Sequence, residues 1–222
     1  MQLEVKNFSV RLNDKMFLHD VNFSVGAGKT IVINGVNGSG KSTLLKAIAG
    51  FSDYDCAGEI LIDGKNISSL DTVERAQLGI FLTLQEPIEI AGLSYAEMLK
   101  AAMDARGKIS AKDFQLRLAQ SLEVLRLDPF MAQKHVGSDL SGGEKKKMEV
   151  LQILMLEPSI VLLDEIDSGL DTKSARHISN VLREYQQKHN ASFVVVTHNK
   201  QILSDLLINN DYQLEDKTLT HA

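Results

Sequence analysis

Hydrophobic positions change period twice along the chain. Leu3, Val5, Phe8, Val10 and Leu12 alternate imperfectly with polar residues, as in a strand with one face buried. "VNFSV" and "TIVIN" are short β-rich runs around a turn at Gly26–Gly28, and "GEILIDGKNI" predicts a hairpin turning at Asp63-Gly64. The middle of the chain then takes a helical period. Ser94 with Glu97 predicts a capped helix running to about Arg106. Ser110 with Asp113 opens another, along which Phe114, Leu118, Leu122 and Leu125 recur at helical spacing. Asp128-Pro129 has the order of an N-cap followed by proline at the first helical position. Residues 87–140 are therefore expected to form a helical insertion, followed by a helix capped by Ser141 and Glu144 that ends before Pro158.

The final third returns to strand and helix in alternation. "SIVLLD" and "SFVVVT" are continuous apolar runs of strand length, the pattern of strands covered on both faces. Between them Ala175, Ile178, Val181, Leu182 and Tyr185 trace one helix face, which predicts a parallel crossover unit. The stretch "NNDYQLEDKTLTHA" is expected to form a hairpin and not a tail helix.

Composition narrows the class. With 44% hydrophobic and 24% charged residues, the 222-residue chain reads as an ordinary globular domain of α/β type. No run approaches the ~18 apolar residues of a membrane span, and "MQLEVKNFSV" resembles neither a signal nor a transit peptide. A net charge of −5 argues against nucleic acid as the main partner. The single cysteine, Cys56, excludes an internal disulfide and a cysteine-rich metal site, and reads as a small residue in the loop before a strand. The expected location is cytoplasmic.

Chemistry enters at "GVNGSGKS", Gly35 to Ser42, which matches G-x-x-x-x-G-K-[ST] between an apolar strand and a helix. Gly35, Asn37, Gly38, Ser39, Gly40, Lys41, Ser42 and Thr43 form the expected phosphate-binding set. The glycines allow a nest of backbone N–H donors, and the helix N-terminus adds its positive end. Lys41 can reach the β- and γ-phosphates, and the Ser42 hydroxyl can ligate Mg²⁺. "LLDEIDSGLD" then places Asp164, Glu165, Asp167 and Asp171 directly after an apolar run. A solvated loop would account for such a cluster. A strand end facing the phosphate loop would instead assign Asp164 to the Mg²⁺ shell and Glu165 to polarising the attacking water. "LSGGE", Leu140 to Glu144, offers a second anion site at a helix start. Two such sites on different lobes suggest a nucleotide held between two molecules, head to tail.

The order GxxxxGKS, Gln85, LSGGE, LLDE, SGLD and His198 resembles an ATP-binding-cassette (ABC) ATPase over nearly the whole chain. That resemblance implies a P-loop NTPase fold of ABC type, with a mixed sheet core, an antiparallel β subdomain and an inserted helical lobe. The chain would be one domain, with a catalytic core at 1–86 and 157–222 and a helical subdomain at 87–156. It further implies ATP and Mg²⁺ as ligands and Gln85 as the loop glutamine at the metal site. Ser141, Gly142 and Gly143 would meet the nucleotide of a partner subunit, Asp171 would be a dimer contact, and His198 would contact the γ-phosphate. The other five histidines read as surface residues.

Three stretches depart from the usual transporter pattern: "LSGGEKKKMEVLQ", "DEIDSGLD" and "GIFLTLQEPIEIAGLS". They resemble the SufC-type ATPases of the Suf iron–sulfur cluster assembly system, although Glu86 and Lys147 replace a tyrosine and an arginine. This resemblance implies SufB-like and SufD-like scaffold partners, no nucleic acid and no membrane insertion, with docking expected around Gln85 to Ser94. The alternative is the peripheral ATPase of an ABC membrane transporter. Asp167 reads either as a loop carboxylate or as a salt-bridge partner for Lys145 to Lys147. An aromatic for adenine is missing where the family places one, at Leu12. With Phe17 read as core, base contacts are expected to be weak. Without partners the chain is expected to be monomeric.

Overall fold

The structure is a computed structural model and describes residues 1–84, 89–137, 140–166, 169–197, 206 and 208–222. In chain order it runs β1 (Leu3–Leu12), β2 (Lys15–Val25), β3 (Thr30–Asn34), α1 (Lys41–Ala49), β4 (Asp55–Ile62), β5 (Lys65–Asn66), α2 (Thr72–Gln77) and β6 (Ile80–Leu82). There follow β7 (Ile90–Ser94), α3 (Tyr95–Arg106), α4 (Ala111–Val124), a 3₁₀ turn (Pro129–Gln133), β8 (His135–Val136) and α5 (Gly142–Leu156). The chain closes with β9 (Ile160–Asp164), α6 (Thr172–His189), β10 (Ser192–Val196), β11 (Ile208–Glu215) and β12 (Thr218–His221).

Among the described residues the main sheet has the order β12-β11-β3-β10-β9-β6. Its strands are parallel except for β12, which closes an antiparallel hairpin with β11. A second, antiparallel sheet has the order β2-β1-β4-β5. β9, α6 and β10 make the expected parallel crossover, and every residue of β9 and β10 is buried. The period-2 irregularity in β1 has a local cause. Asn7 adopts a φ of +48° and the pairing register shifts between Val5 and Phe8, so Leu3, Val5, Phe8 and Val10 all stay buried. Asp63 and Gly64 both have positive φ, which sets the two-residue hairpin turn joining β4 to β5.

Ser94, Ser110 and Ser141 cap their helices through the backbone N–H three residues on. Asp128 caps a 3₁₀ turn and not an α-helix. The insertion is not wholly helical, because β7 and β8 pair antiparallel across it. At five and two residues, these runs are too short to show a period. α2 was also outside the sequence reading, although Asp71 and Glu74 form a full capping box there. Cys56 lies within β4 opposite Val10, and not in a loop. Buried residues of α3, α4, α5, α6 and alternate faces of β9 and β10 form one continuous apolar cluster, so the helices share their core with the sheet. No helix among the described residues is long and apolar enough to cross a membrane.

Candidate nucleotide site

The β3–α1 loop is built by close approach. Gly35 has a φ of +154°, and a Cβ there would lie 2.6 Å from the Leu214 carbonyl oxygen. Gly40 caps α1 at φ +107°, and a Cβ there would press on Leu18 at 3.1 Å. An L-residue with a side chain would push the loop off β11 and β2 at those points. Lys41 is buried; its Nζ donates to the carbonyl oxygens of Gly35 at 2.7 Å and Val36 at 3.0 Å. Burial lowers its pKa, and the Glu165 and Asp164 carboxylates oppose that shift.

The acidic turn meets this loop. Ser42 Oγ donates to Asp164 Oδ1 at 3.1 Å, joining the start of α1 to the end of β9. Asp164 is 2% exposed, and burial raises its pKa. The Ser42 hydrogen bond lowers it, Glu165 raises it, and Lys46 and Lys146 lower it. Its backbone N–H donates to Thr83 Oγ1 at 2.9 Å. Thr83 is a positioning residue that the sequence reading missed, because a threonine after a short strand carries no distinguishing signal. Glu165 adopts a left-handed φ of +49° and donates its N–H to the Val196 carbonyl at 2.9 Å. A glutamate in that region is strained, as residues at functional sites often are.

Asn37, Gly38, Gly40, Lys41, Ser42, Thr43 and Glu165 line one open cleft of about 410 Å³ together with Phe17. Reading Phe17 as core is therefore corrected. The ring is half-buried beside the phosphate loop, with Lys15 Nζ 5.5 Å from its centroid. β2 begins at Lys15, much earlier than "VNFSV" suggested, and this early start carries Phe17 to the cleft.

Ser141, Gly142, Gly143 and Asp171 do not line that cleft among the described residues. Ser141 Oγ accepts from Glu144 N–H at 3.3 Å while Glu144 Oε2 accepts from Ser141 N–H at 2.8 Å. The start of α5 lies against the far end of the acidic turn, where a Cβ added at Gly143 would be 3.6 Å from the Leu170 side chain. Asp171 caps α6, accepting from Lys173 and Ser174 N–H at 2.9 Å each, and these bonds lower its pKa. Gln85, Asp167 and His198 lie outside the described residues. Two of the three lysines of Lys145 to Lys147 nonetheless have side-chain partners within the lobe. Lys146 Nζ lies 3.3 Å from Glu149 Oε2, both side chains buried, and Lys147 Nζ donates to the Arg126 carbonyl at 3.4 Å. Two histidines read as surface groups are packed: His177 Nε2 lies 2.9 Å from the Val124 carbonyl oxygen, and His189 stacks on Tyr185.

Burial pushes the Glu149 carboxyl up to about 7, against the pull of Lys146, while Asp164 pushes it further up. A raised folded-state pKa gives stability that is complete below the unfolded value and lost as pH rises through the folded one. The native chain should therefore lose stability relative to Glu149→Gln as pH rises from 4.5 to about 7. Urea unfolding across that window measures it, and parallel pH profiles would contradict it.

As a donor set, Ser42 and Asp164 present hard oxygens, which suit Mg²⁺ held by one or two protein groups and phosphate oxygens. Among the described residues no cluster of three or more His, Cys, Asp or Glu forms an all-protein cage.

Comparison with known proteins places the chain in a family and a fold. A family model described as ABC transporter matches residues 18–168, and one described as an AAA domain, putative AbiEii toxin, matches residues 138–204. A probable ABC transporter ATP-binding protein of Streptococcus pyogenes is 42% identical over 207 residues, covering 91% of this chain and 80% of that protein. A probable ATP-dependent transporter of Synechocystis is 37% identical over 221 residues, covering 96% and 86%. A dimeric ATP-binding cassette solved in a post-hydrolysis state with ADP and phosphate superposes with a TM-score of 0.84 at 24% identity, covering 99% of this chain and 98% of that one.

Proposed function

The chain belongs to the ABC transporter family of ATP-binding cassettes, and from that premise we propose that two copies hydrolyse two Mg-ATP between them, head to tail. The observation that carries the Mg-ATP site is the 3.1 Å bond from Ser42 to Asp164, which sets a buried carboxylate against the phosphate loop with Glu165 in the same cleft, and the place of Ser141, Gly142 and Gly143 off that cleft supports a second copy. In this reading Lys41 and the Gly35–Thr43 loop hold the β- and γ-phosphates. Ser42 and Asp164, with Gln85, hold Mg²⁺, which when bound neutralises charge on the phosphate oxygens. Glu165 polarises the attacking water, and His198 contacts the γ-phosphate. Ser141, Gly142 and Gly143 of the partner subunit complete the pocket, and Asp171 contacts the partner across the dimer.

Phe17 offers the adenine a flat apolar face. Phe17→Ala is expected to weaken ATP binding about tenfold or more, in line with the loss of one base-stacking contact. Binding of magnesium tripolyphosphate, which has no base, should be unchanged. Equal losses for both ligands would remove the stacking role.

The finer reading is that closure drives conformational change in a SufB-like and SufD-like scaffold during iron–sulfur cluster assembly. Support comes from the resemblance of "LSGGEKKKMEVLQ", "DEIDSGLD" and "GIFLTLQEPIEIAGLS" to SufC-type ATPases. A second reading, the peripheral ATPase of a membrane transporter, keeps the same chemistry and is favoured by the names of the relatives. Affinity purification with mass spectrometry separates them. Recovery of SufB-like and SufD-like proteins supports the first, and recovery of an integral permease supports the second.

A further inference from the structure

A cavity of about 210 Å³ opens between β6, β7, α3 and α5, on the helical side of the nucleotide cleft. Phe81, Ile90, Tyr95 and Met98 give it apolar walls, and Glu149 and Gln152 are its polar lining from α5. Glu149 is 4% exposed, yet its Oε1 has no hydrogen-bond partner among the described residues. Oε2 has Lys146 at 3.3 Å. A buried carboxylate oxygen without a donor is a standing cost to the fold, and one that a donor arriving from outside would remove.

Size and charge define the donor. The volume lies below the ~300 Å³ at which small-molecule pockets begin, and suits a single long side chain. Apolar walls ending at a carboxylate match a side chain with a hydrocarbon stem and a cationic head. The lining points the same way, since Glu149 is its one charged side chain among the described residues. Ile90, one of its walls, is 41% exposed.

We propose that this cavity seats one lysine or arginine side chain of the protein that docks on the cassette, its cation meeting Glu149 Oε1. The inference rests on the reading that the chain works on a protein partner, and it adds the chemistry of the contact. It also couples docking to the nucleotide site, because an incoming cation at Glu149 alters the charge facing Asp164.

The test uses n-butylammonium as a probe for the lysine side chain and 1-butanol as its neutral counterpart, read by ¹³C-methyl NMR of Ile90 and Met98 in the whole chain. Saturable shifts with n-butylammonium are expected, about tenfold or more weaker in Glu149→Gln, in keeping with loss of a hydrogen bond to a charged group. Met98→Trp fills the cavity with the ion pair intact and should abolish the shifts, so the test survives if Glu149→Gln fails to fold. Equal response to 1-butanol, no saturation, or unchanged affinity in both variants would overturn the proposal. With the captured scaffold or permease, Met98→Trp should weaken binding at least about tenfold, and equal affinity would overturn the docking role. The probe needs no partner. Recovery of a permease would remove the Suf reading and leave this site standing, whereas a silent probe would remove the site and leave the ATP chemistry.

Discussion

Glu165→Gln should slow ATP turnover by about 10²–10⁴, the contribution expected of a positioned general base, while leaving ATP affinity unchanged. Glu165 follows the buried Asp164 directly and shares a cleft with Lys41 and Ser42. Its backbone is held at φ +49° with its N–H donating to the Val196 carbonyl, which ties the position to β9 and β10. Glutamine has the same shape and accepts a hydrogen bond, but it cannot take a proton at neutral pH. The phosphate ligands stay in place, so the loss should fall on the rate alone. Phosphate release beside equilibrium binding of ATP measures the two separately. Turnover matching the native chain would show that another group activates the water.

Arg75→Leu should destabilise the fold by about 3–5 kcal/mol, the scale of losing a buried hydrogen-bond network. Arg75 is 5% exposed and lies on α2. Its Nη1 donates to Ala47 and Ile48 at 3.0 and 2.8 Å, its Nε to Leu70 at 2.9 Å and its Nη2 to Ser68 at 2.8 Å. Ala47 and Ile48 are in the last turn of α1, where carbonyls lack the next turn's N–H groups, and the Ala47 oxygen accepts also from the Gly50 cap N–H at 3.1 Å. One guanidinium thus ends the phosphate-loop helix and ties it to the β5–α2 connection. Leucine fills much of the space and leaves four carbonyls without that donor. Against a typical total of ~5–15 kcal/mol this is a large fraction, visible as an earlier urea midpoint. A midpoint equal to that of the native chain would mean that water satisfies those carbonyls at no net cost.

Arg75 also shows where sequence reasoning stops. In "TVERAQ" it looks like a solvated helix residue, and its burial depends on α1 arriving from 28 residues upstream. Local signals carried much further where geometry is local. Capping boxes at Ser94 and Ser141 placed helix starts to the residue, because an N-cap is read within four positions. Continuous apolar runs identified β9 and β10 because both faces of a central parallel strand are covered. The meeting of Ser42 with Asp164 was legible because both lie at strand or helix ends facing one sheet edge. Phe17 was not, since its place depends on where β2 begins and how that strand crosses the loop at Gly40. Glu149 was missed for a related reason. A carboxylate at helical spacing from lysine reads as a solvated pair until α5 is known to be sandwiched between α3, α4 and α6. The "LSGGE" stretch was legible both as a helix start and as a site on another lobe, and it does not line the cleft.

Head-to-tail closure on nucleotide is the central claim, and sedimentation equilibrium of Glu165→Gln with saturating Mg-ATP tests it most directly. The account predicts a dimer with ATP and a monomer with ADP. Adding Ser141→Arg, on the exposed start of α5, should return the ATP-bound protein to a monomer with its nucleotide affinity intact. A Glu165→Gln chain that stays monomeric with ATP bound, or a dimer indifferent to Ser141→Arg, would contradict it.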